Sequence, residues 1–440
     1  MPGALLTDLY ELNMAASYLR RGMTAAATFS LYVRTLPAER GFLVAAGLED
    51  CLRFLESFSF TAKDLSWLKR NGFDAEALEA FREVRFTGDV WAVPEGRIVY
   101  ADEPLLEVTA PLPEAQLVET YLLNQATLHV TIASKAARYR VAASGRRLVD
   151  FAFRRTHGVD AAMAAARCSA IVGFEATSNV EAARRYGLTV AGTMAHSYIE
   201  AFPTEAAAFR AFAEDFPGRT TFLVDTYDTP NGVRAAIETV RELGSDHVGV
   251  RLDSGDLFGL SRQTRALLDD AGLTQARIFA SGGLDEYEIE ALIESGAPID
   301  AFGIGTQMGV SADAPYVDSV YKLVWYDGRP VLKLSTKKAT APGAKQVFRG
   351  HDGDVLTLRD EHGPEMTHPL LVPVMKDGAR VAPPDSIADI RERFETDLDL
   401  APAAAKRLRE PRPVLARRSE ALQELSARAR EQALEREGLD

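Results

Sequence analysis

The segment Gly192-Thr193-Met194-Ala195-His196-Ser197-Tyr198 puts an imidazole in a Gly/Thr/Ser turn just past the short apolar run Leu188–Gly192. That run reads as a buried strand, so His196 stands at a strand's carboxyl end, where α/β barrels expose reactive groups. An imidazole there could serve as a base, a ligand or a phosphate acceptor; a core histidine bonded to backbone is the plain alternative. Its company bears on the choice. Asp225-Thr226-Tyr227-Asp228-Thr229 follows another apolar run, and Asp225 could orient a histidine or hold a magnesium-bound ligand, while Asp228 or Thr229, ahead of Pro230, suits a helix cap. Arg251-Leu252-Asp253-Ser254-Gly255-Asp256 gathers a cation, a carboxylate and a glycine at one strand end, a grip for a phosphorylated sugar. Asp150-Phe151-Ala152-Phe153-Arg154-Arg155 ends in two arginines that could fork onto a carboxylate or phosphate, or simply form a solvated edge. Ser281-Gly282-Gly283 and Gly303-Ile304-Gly305-Thr306 close the series with turns that expose backbone N–H groups to phosphate. Any one such turn needs glycine for conformational reasons alone. Their order along the chain gives the series its weight.

These residues need strands to carry them. The expected strands are Arg147–Phe151, Ala170–Gly173, Thr189–Ala191, Thr221–Val224, Val248–Arg251, Arg277–Ala280 and Ala301–Ile304. Helical sequence at Asp160–Arg167, Glu205–Glu214, Asn231–Leu243, Asp256–Ala271 and Asp285–Ser295 separates them, the rhythm of parallel strands joined by crossover helices. An open doubly wound sheet fits the rhythm too; polar clusters after nearly every strand favour an irregular TIM-like α/β barrel. Ahead of it lie a helix over Thr7–Arg21, a strand over Thr28–Val33, short β runs at Val90–Val93, Ile98–Tyr100 and Leu105–Thr109, and a helix over Pro113–Val141. After it, Tyr321–Tyr326 and Val331–Ser335 flank the hairpin pair Asp327-Gly328. The division expected is an N-terminal helix and β-layer domain over 1–125, the barrel over 126–319, a β segment over 320–382 completing the first domain, and a charged helical tail over 383–440.

Composition excludes several classes. With 440 residues, 47% hydrophobic and 26% charged, the chain is globular rather than disordered or membrane-spanning. Its start has neither a basic segment nor a long apolar stretch, so no secretion signal is expected and the cytoplasm is the default location. A net charge of -13 argues against nucleic-acid binding. Cys51 and Cys168 sit far apart in apolar contexts and read as small buried hydrophobes, not a disulfide or a zinc pair.

Taken together, Leu6-Thr7-Asp8-Leu9-Tyr10, Gly192-Thr193-Met194-Ala195-His196-Ser197, Arg251-Leu252-Asp253-Ser254-Gly255-Asp256 and Gly303-Ile304-Gly305-Thr306 resemble the nicotinate phosphoribosyltransferases over most of the chain. The resemblance implies an enzyme of NAD salvage that joins nicotinate to phosphoribosyl pyrophosphate, with magnesium, and couples the step to ATP hydrolysis through a phosphohistidine at His196. It implies Asp225 as the carboxylate that fixes the imidazole tautomer, and Asp253 as a further catalytic residue. Nicotinate would meet Tyr10, Phe151, Arg154, Ser178, Thr193 and Arg251. Phosphoribosyl pyrophosphate would meet Arg251, Asp253, Gly255, Ser281, Gly282, Gly283, Gly303, Gly305 and Thr306. A homodimer with shared sites follows if Tyr10 reaches in from a second subunit. The cysteine-rich metal site of some family members is missing, so no structural zinc is expected. Two other readings compete. Nicotinamide-using relatives carry an aspartate where Ser178 stands, and a neutral residue there favours the acid. A non-catalytic phosphosugar-binding barrel would have no need of His196, Asp225 and Asp253 together.

Overall fold

The computed structural model describes residues 3–218, 220–244, 248–334, 340–351 and 353–438. The chain divides into two compact units, one of residues 1–131 with 316–440 and the other of residues 132–315.

In the first unit a seven-stranded sheet runs in the order Arg329–Pro330, Ser319–Tyr326, Ala26–Val33, Pro104–Pro111, Asp89–Ala92, Val372–Lys376, Ala379–Arg380. Its ladders are antiparallel, and the central strand Ala26–Val33 pairs with Ser319–Tyr326 on one side and Pro104–Pro111 on the other. Asp327 and Gly328 both take positive φ, 48° and 73°, which a two-residue hairpin requires. The paired register ends at Pro330, with one further backbone bond from the Val331 N–H to the Val324 carbonyl at 3.0 Å. The strand expected over Val331–Ser335 is absent through Leu334, and Ser335 lies outside the described residues. The helices Leu48–Ser57, Ala62–Arg70 and Ala75–Glu83, not among the elements expected from sequence, send Phe54, Leu68 and Phe81 into the core.

The tail is not one helical stretch. Helices Ile387–Leu400, Ala403–Lys406 and Glu420–Glu437 are separated by proline-bearing chain, and Arg417–Arg418 pairs in parallel with Val355–Leu356 of the hairpin Lys345–Gly350/Gly353–Leu358. Prolines at 402, 411 and 413 withhold the N–H groups a continuous helix needs. Nor is it a loose appendage. Ile390, Phe394 and Leu422 are fully buried, and Asp397 accepts from Arg97 at 2.6 Å and from the Ile98 N–H at 3.0 Å.

The second unit holds a six-stranded parallel sheet in the order Ala176–Thr177, Arg147–Asp150, Ala301–Ile304, Arg277–Ala280, Gly249–Leu252, Thr221–Leu223. Helices Val159–Ile171, Val180–Tyr186, Glu205–Asp215, Thr229–Leu243, Leu257–Asp270 and Glu286–Glu294 intervene. Gly249–Leu252 is buried at every position, as a parallel strand covered on both faces should be. Five helices start on a side-chain cap from Asn179, Thr204, Asp228, Asp256 or Asp285, which satisfies backbone N–H groups at the strand-to-helix turns. Two expected strands fail. Ala170–Gly173 is the end of a helix: the alanine-rich stretch from Ala161 favours helix through Ile171, and Gly173 turns the chain at φ 99°. The strand in that place is Ala176–Thr177. Thr189–Ala191 contributes one parallel bridge, Thr177 to Val190.

Candidate active site

The second unit's strand ends converge on Arg251. This arginine is the third residue of Gly249–Leu252 and is nine-tenths buried. Each of its guanidinium nitrogens is engaged: Nε donates to Ser281 Oγ at 2.8 Å, Nη1 to Thr193 Oγ1 at 2.9 Å and Nη2 to Asp253 Oδ1 at 2.6 Å. Ser281 in turn donates to the same Asp253 oxygen. Three turns well separated in sequence are thereby fixed by one planar fork. The Phe151 ring lies under the guanidinium, 5.5 Å from centroid to Cζ. Burial alone would raise the Asp253 carboxyl, but the Ser281 hydroxyl, Arg251 and His196 outweigh it and hold the group below the usual carboxylate range.

His196 opens the short helix His196–Glu200, and its side chain is 40% exposed, so the ring is neither a core histidine nor free in solvent. Nδ1 lies 3.1 Å from Thr226 Oγ1, and Nε2 lies 3.7 Å from Asp253 Oδ2. The expectation that Asp225 orients the imidazole is therefore corrected. Asp225 Oδ2 accepts from the Asp253 N–H at 2.8 Å and from Ser254 Oγ at 2.9 Å, so it braces the neighbouring turn while Thr226 meets the ring. The reason is local: successive residues leaving a strand point to opposite sides, and here residue 226 faces the histidine.

Asp225 Oδ1 is buried without a hydrogen-bond partner, as is Oε1 of Glu205, the first residue of Glu205–Asp215. Burial, with the negative charges of Asp225 and Asp228, pushes the Glu205 carboxyl up to about 7. Glu205 and Thr226 are not among the site residues expected from sequence. Thr226 was visible as the residue beside Asp225; Glu205 carried no signal beyond a helix start.

Phe151 follows the strand Arg147–Asp150 and packs against Phe279 at 5.7 Å between centroids. Gly303 lies inside Ala301–Ile304, and a Cβ there would stand 2.7 Å from the Phe151 ring and 2.8 Å from Phe279. Its place is thus to admit these rings. Asp150, also not among the expected site residues, accepts from the Ala152 N–H at 2.8 Å and from Thr177 Oγ1 at 2.7 Å, and burial raises its carboxyl. This bond ties the Phe151 loop to the one bearing Ser178, whose N–H donates to the Asp150 carbonyl at 2.8 Å. Arg154 is exposed in the turn Phe153–Arg155, with no partner among the described residues.

The remaining turns differ in kind. Gly282 has φ 110°, and a Cβ on it would sit 1.9 Å from the Asp253 carbonyl oxygen. Gly283 and Gly255 also have positive φ, with open space and Leu260 beside them respectively. Gly305 precedes Thr306, which is exposed at the head of Thr306–Gly309. Tyr10 belongs to the first unit, on the helix Leu9–Arg20, where partial burial and the carboxylates of Glu119 and Glu11 raise its phenol. Among the described residues no three or more His, Cys, Asp or Glu side chains form a group able to hold a metal ion.

Comparison with known proteins gives a consistent result. Residues 5–126 match the nicotinate phosphoribosyltransferase N-terminal domain, residues 146–349 the nicotinate phosphoribosyltransferase family, and residues 319–426 the C-terminal domain. The chain is 51% identical over 388 residues to nicotinate phosphoribosyltransferase pncB2 of Mycobacterium tuberculosis, covering 86% of this chain and 83% of that one. It is 42% identical over 376 residues to the nicotinate phosphoribosyltransferase of Bacillus subtilis, covering 81% and 76%. The crystal structure of human nicotinic acid phosphoribosyltransferase superposes with a TM-score of 0.86 at 30% identity, over 96% of this chain and 99% of that one.

Proposed function

The chain belongs to the nicotinate phosphoribosyltransferase family, and we propose that its second unit transfers a phosphoribosyl group from 5-phosphoribosyl 1-pyrophosphate to nicotinate. The products are nicotinate mononucleotide and pyrophosphate. The observation that carries this reading is the cluster in which Arg251 joins Thr193, Asp253 and Ser281 over the Phe151 ring, with His196 beside Asp253. Phe151 gives a flat aromatic acid a face to stack on, and the free head of Arg154 gives its carboxylate a partner. The pyridine nitrogen attacks the anomeric carbon as the bond to pyrophosphate breaks, and backbone N–H groups of the Ser281–Gly283 and Gly305–Thr306 turns meet the phosphates.

His196 is the group that couples this step to ATP. One imidazole nitrogen takes the γ-phosphoryl group, ADP leaves, and water later releases phosphate. Thr226 orients the ring, since a hydroxyl can donate to or accept from Nδ1 in either tautomer. Asp225 acts one step removed, by holding Asp253 and Ser254. Magnesium takes oxygen ligands, and the unpartnered carboxylate oxygens of Asp225 and Glu205 fit that requirement, with substrate phosphates and water completing its shell. When bound, the ion supplies charge neutralisation for the departing pyrophosphate.

The finer architecture belongs to the same reading: the parallel sheet as part of an irregular TIM-like barrel, and a cytoplasmic homodimer whose sites are shared between chains. The deciding assay measures mononucleotide formation from nicotinate and from nicotinamide, with and without ATP. Nicotinate should be used, faster with ATP. Turnover of nicotinamide alone would overturn the assignment.

A further inference from the structure

The turns Ser281–Gly283 and Gly305–Thr306 leave neighbouring strands, for Arg277–Ala280 pairs directly with Ala301–Ile304. Behind each lies a carboxylate. Glu286 begins the helix three residues after Gly283, and Asp313 follows seven residues after Thr306. Both converge on Lys135 of the helix Glu119–Ala142. Its Nζ donates to Glu286 Oε1 and Oε2 at 2.8 and 2.6 Å and lies 2.9 Å from Asp313 Oδ1. Arg138, one turn along, donates through Nε to Glu286 Oε1 at 2.6 Å and stands 4.0 Å from Asp313 Oδ2. Tyr139 adds a hydroxyl bond to the Leu284 carbonyl at 3.2 Å. The Lys135 and Glu286 side chains are 3% and 0% exposed, so this pair is sealed from water, while Asp313 at the edge of the cluster keeps 19% of its side chain exposed.

Two cations facing two carboxylates are neutral overall, and a buried ion pair of this kind seldom stabilises a fold more than well-packed apolar residues would. What it does impose is position. We propose that Lys135 is a positioning residue that locks the two turns at one separation, matched to phosphoribosyl pyrophosphate held between them. This inference rests on the function proposed above. On the other side of the first turn, Gly282 runs so close to the Asp253 backbone that a Cβ on it would stand 1.9 Å from the carbonyl oxygen, so slack introduced at Lys135 would appear as misplacement of the turns.

The test compares the full chain with K135R and with the double variant K135M/E286M, which removes one cation and one anion together and leaves no uncompensated charge. Calorimetric titration gives the affinity for phosphoribosyl pyrophosphate, steady-state kinetics gives KM for each substrate, and thermal melting reports the fold. The double variant should melt close to wild type, bind phosphoribosyl pyrophosphate about tenfold or more weakly, and keep its KM for nicotinate within about twofold, while K135R recovers most of the affinity. A folded double variant with unchanged affinity, or with equal losses for both substrates, would overturn the positioning role. If the wild-type chain itself fails to bind phosphoribosyl pyrophosphate, it is the proposed function that falls.

Discussion

At the residue scale the decisive contact is between His196 and Thr226, because it replaces a charged orienting partner with a neutral one. A hydroxyl–imidazole bond contributes about 1 kcal/mol, so Thr226→Val should slow phosphohistidine formation from ATP roughly fivefold without changing the KM for nicotinate. His196→Ala should abolish the acid-labile label altogether. An undiminished label on His196→Ala would remove the histidine from the mechanism. Asp225 calls for a different readout, since its bonds go to Asp253 and Ser254. With manganese as a spin-resonance probe, Asp225→Asn should weaken binding of the ion; equal binding by both proteins would exclude Asp225 as its ligand. Ser178 tests substrate choice. Placing a carboxylate there should penalise nicotinate far more than nicotinamide, because like charges brought together in a partly buried pocket repel while an amide can donate. Equal losses would show that position 178 does not face the ring substituent.

At the scale of elements, Gly282 and Gly283 make a controlled pair. Both have positive φ, but only Gly282 abuts backbone, at the Asp253 carbonyl, while Gly283 faces open space. Gly283→Ala should therefore cost about 1 kcal/mol of stability, and Gly282→Ala several, read from chemical denaturation. Matched losses would mean that the turn moves as a unit. That contrast could not be read from two adjacent glycines in a sequence. What could be read were the strands Thr221–Leu223, Gly249–Leu252, Arg277–Ala280 and Ala301–Ile304, whose short apolar runs sit between amphipathic helices long enough to cross back over a sheet. At Ile171-Val172 the same apolar character closes a helix, because a short buried run looks alike in either structure until an alanine-rich flank is weighed. The site divides the same way. Residue types at strand ends announced Arg251, Asp253 and Ser281, whereas which of Asp225 and Thr226 meets His196 depends on how a strand's last residue rotates into its turn. The Lys135–Glu286–Asp313 cluster joins residues 151 and 178 positions apart, a relation only the fold creates.

At the scale of the whole molecule the number of chains that build one site sets the assembly. Tyr10 lies in the first unit, on a helix whose neighbouring Leu6 and Leu9 are also exposed, while Phe151 and His196 lie in the second. Around the second unit's site, Phe153, Val159, Val180 and Val190 are exposed apolar side chains on or beside the loops that carry Phe151, Ser178 and Thr193. Apolar surface gathered at a site usually meets a partner or a ligand. In a two-fold dimer with shared sites, each site would take Tyr10 from one chain and His196 from the other. Tyr10→Ala and His196→Ala chains should then each be nearly inactive in ATP-coupled turnover as homodimers. Mixed after subunit exchange, they pair at random in about 1:2:1 proportions, so half the dimers are mixed, each with one doubly damaged site and one intact. ATP-coupled activity should recover to about one quarter of wild type. Absence of recovery, with exchange demonstrated by native mass spectrometry, would place Tyr10 in its own chain's site or outside any site.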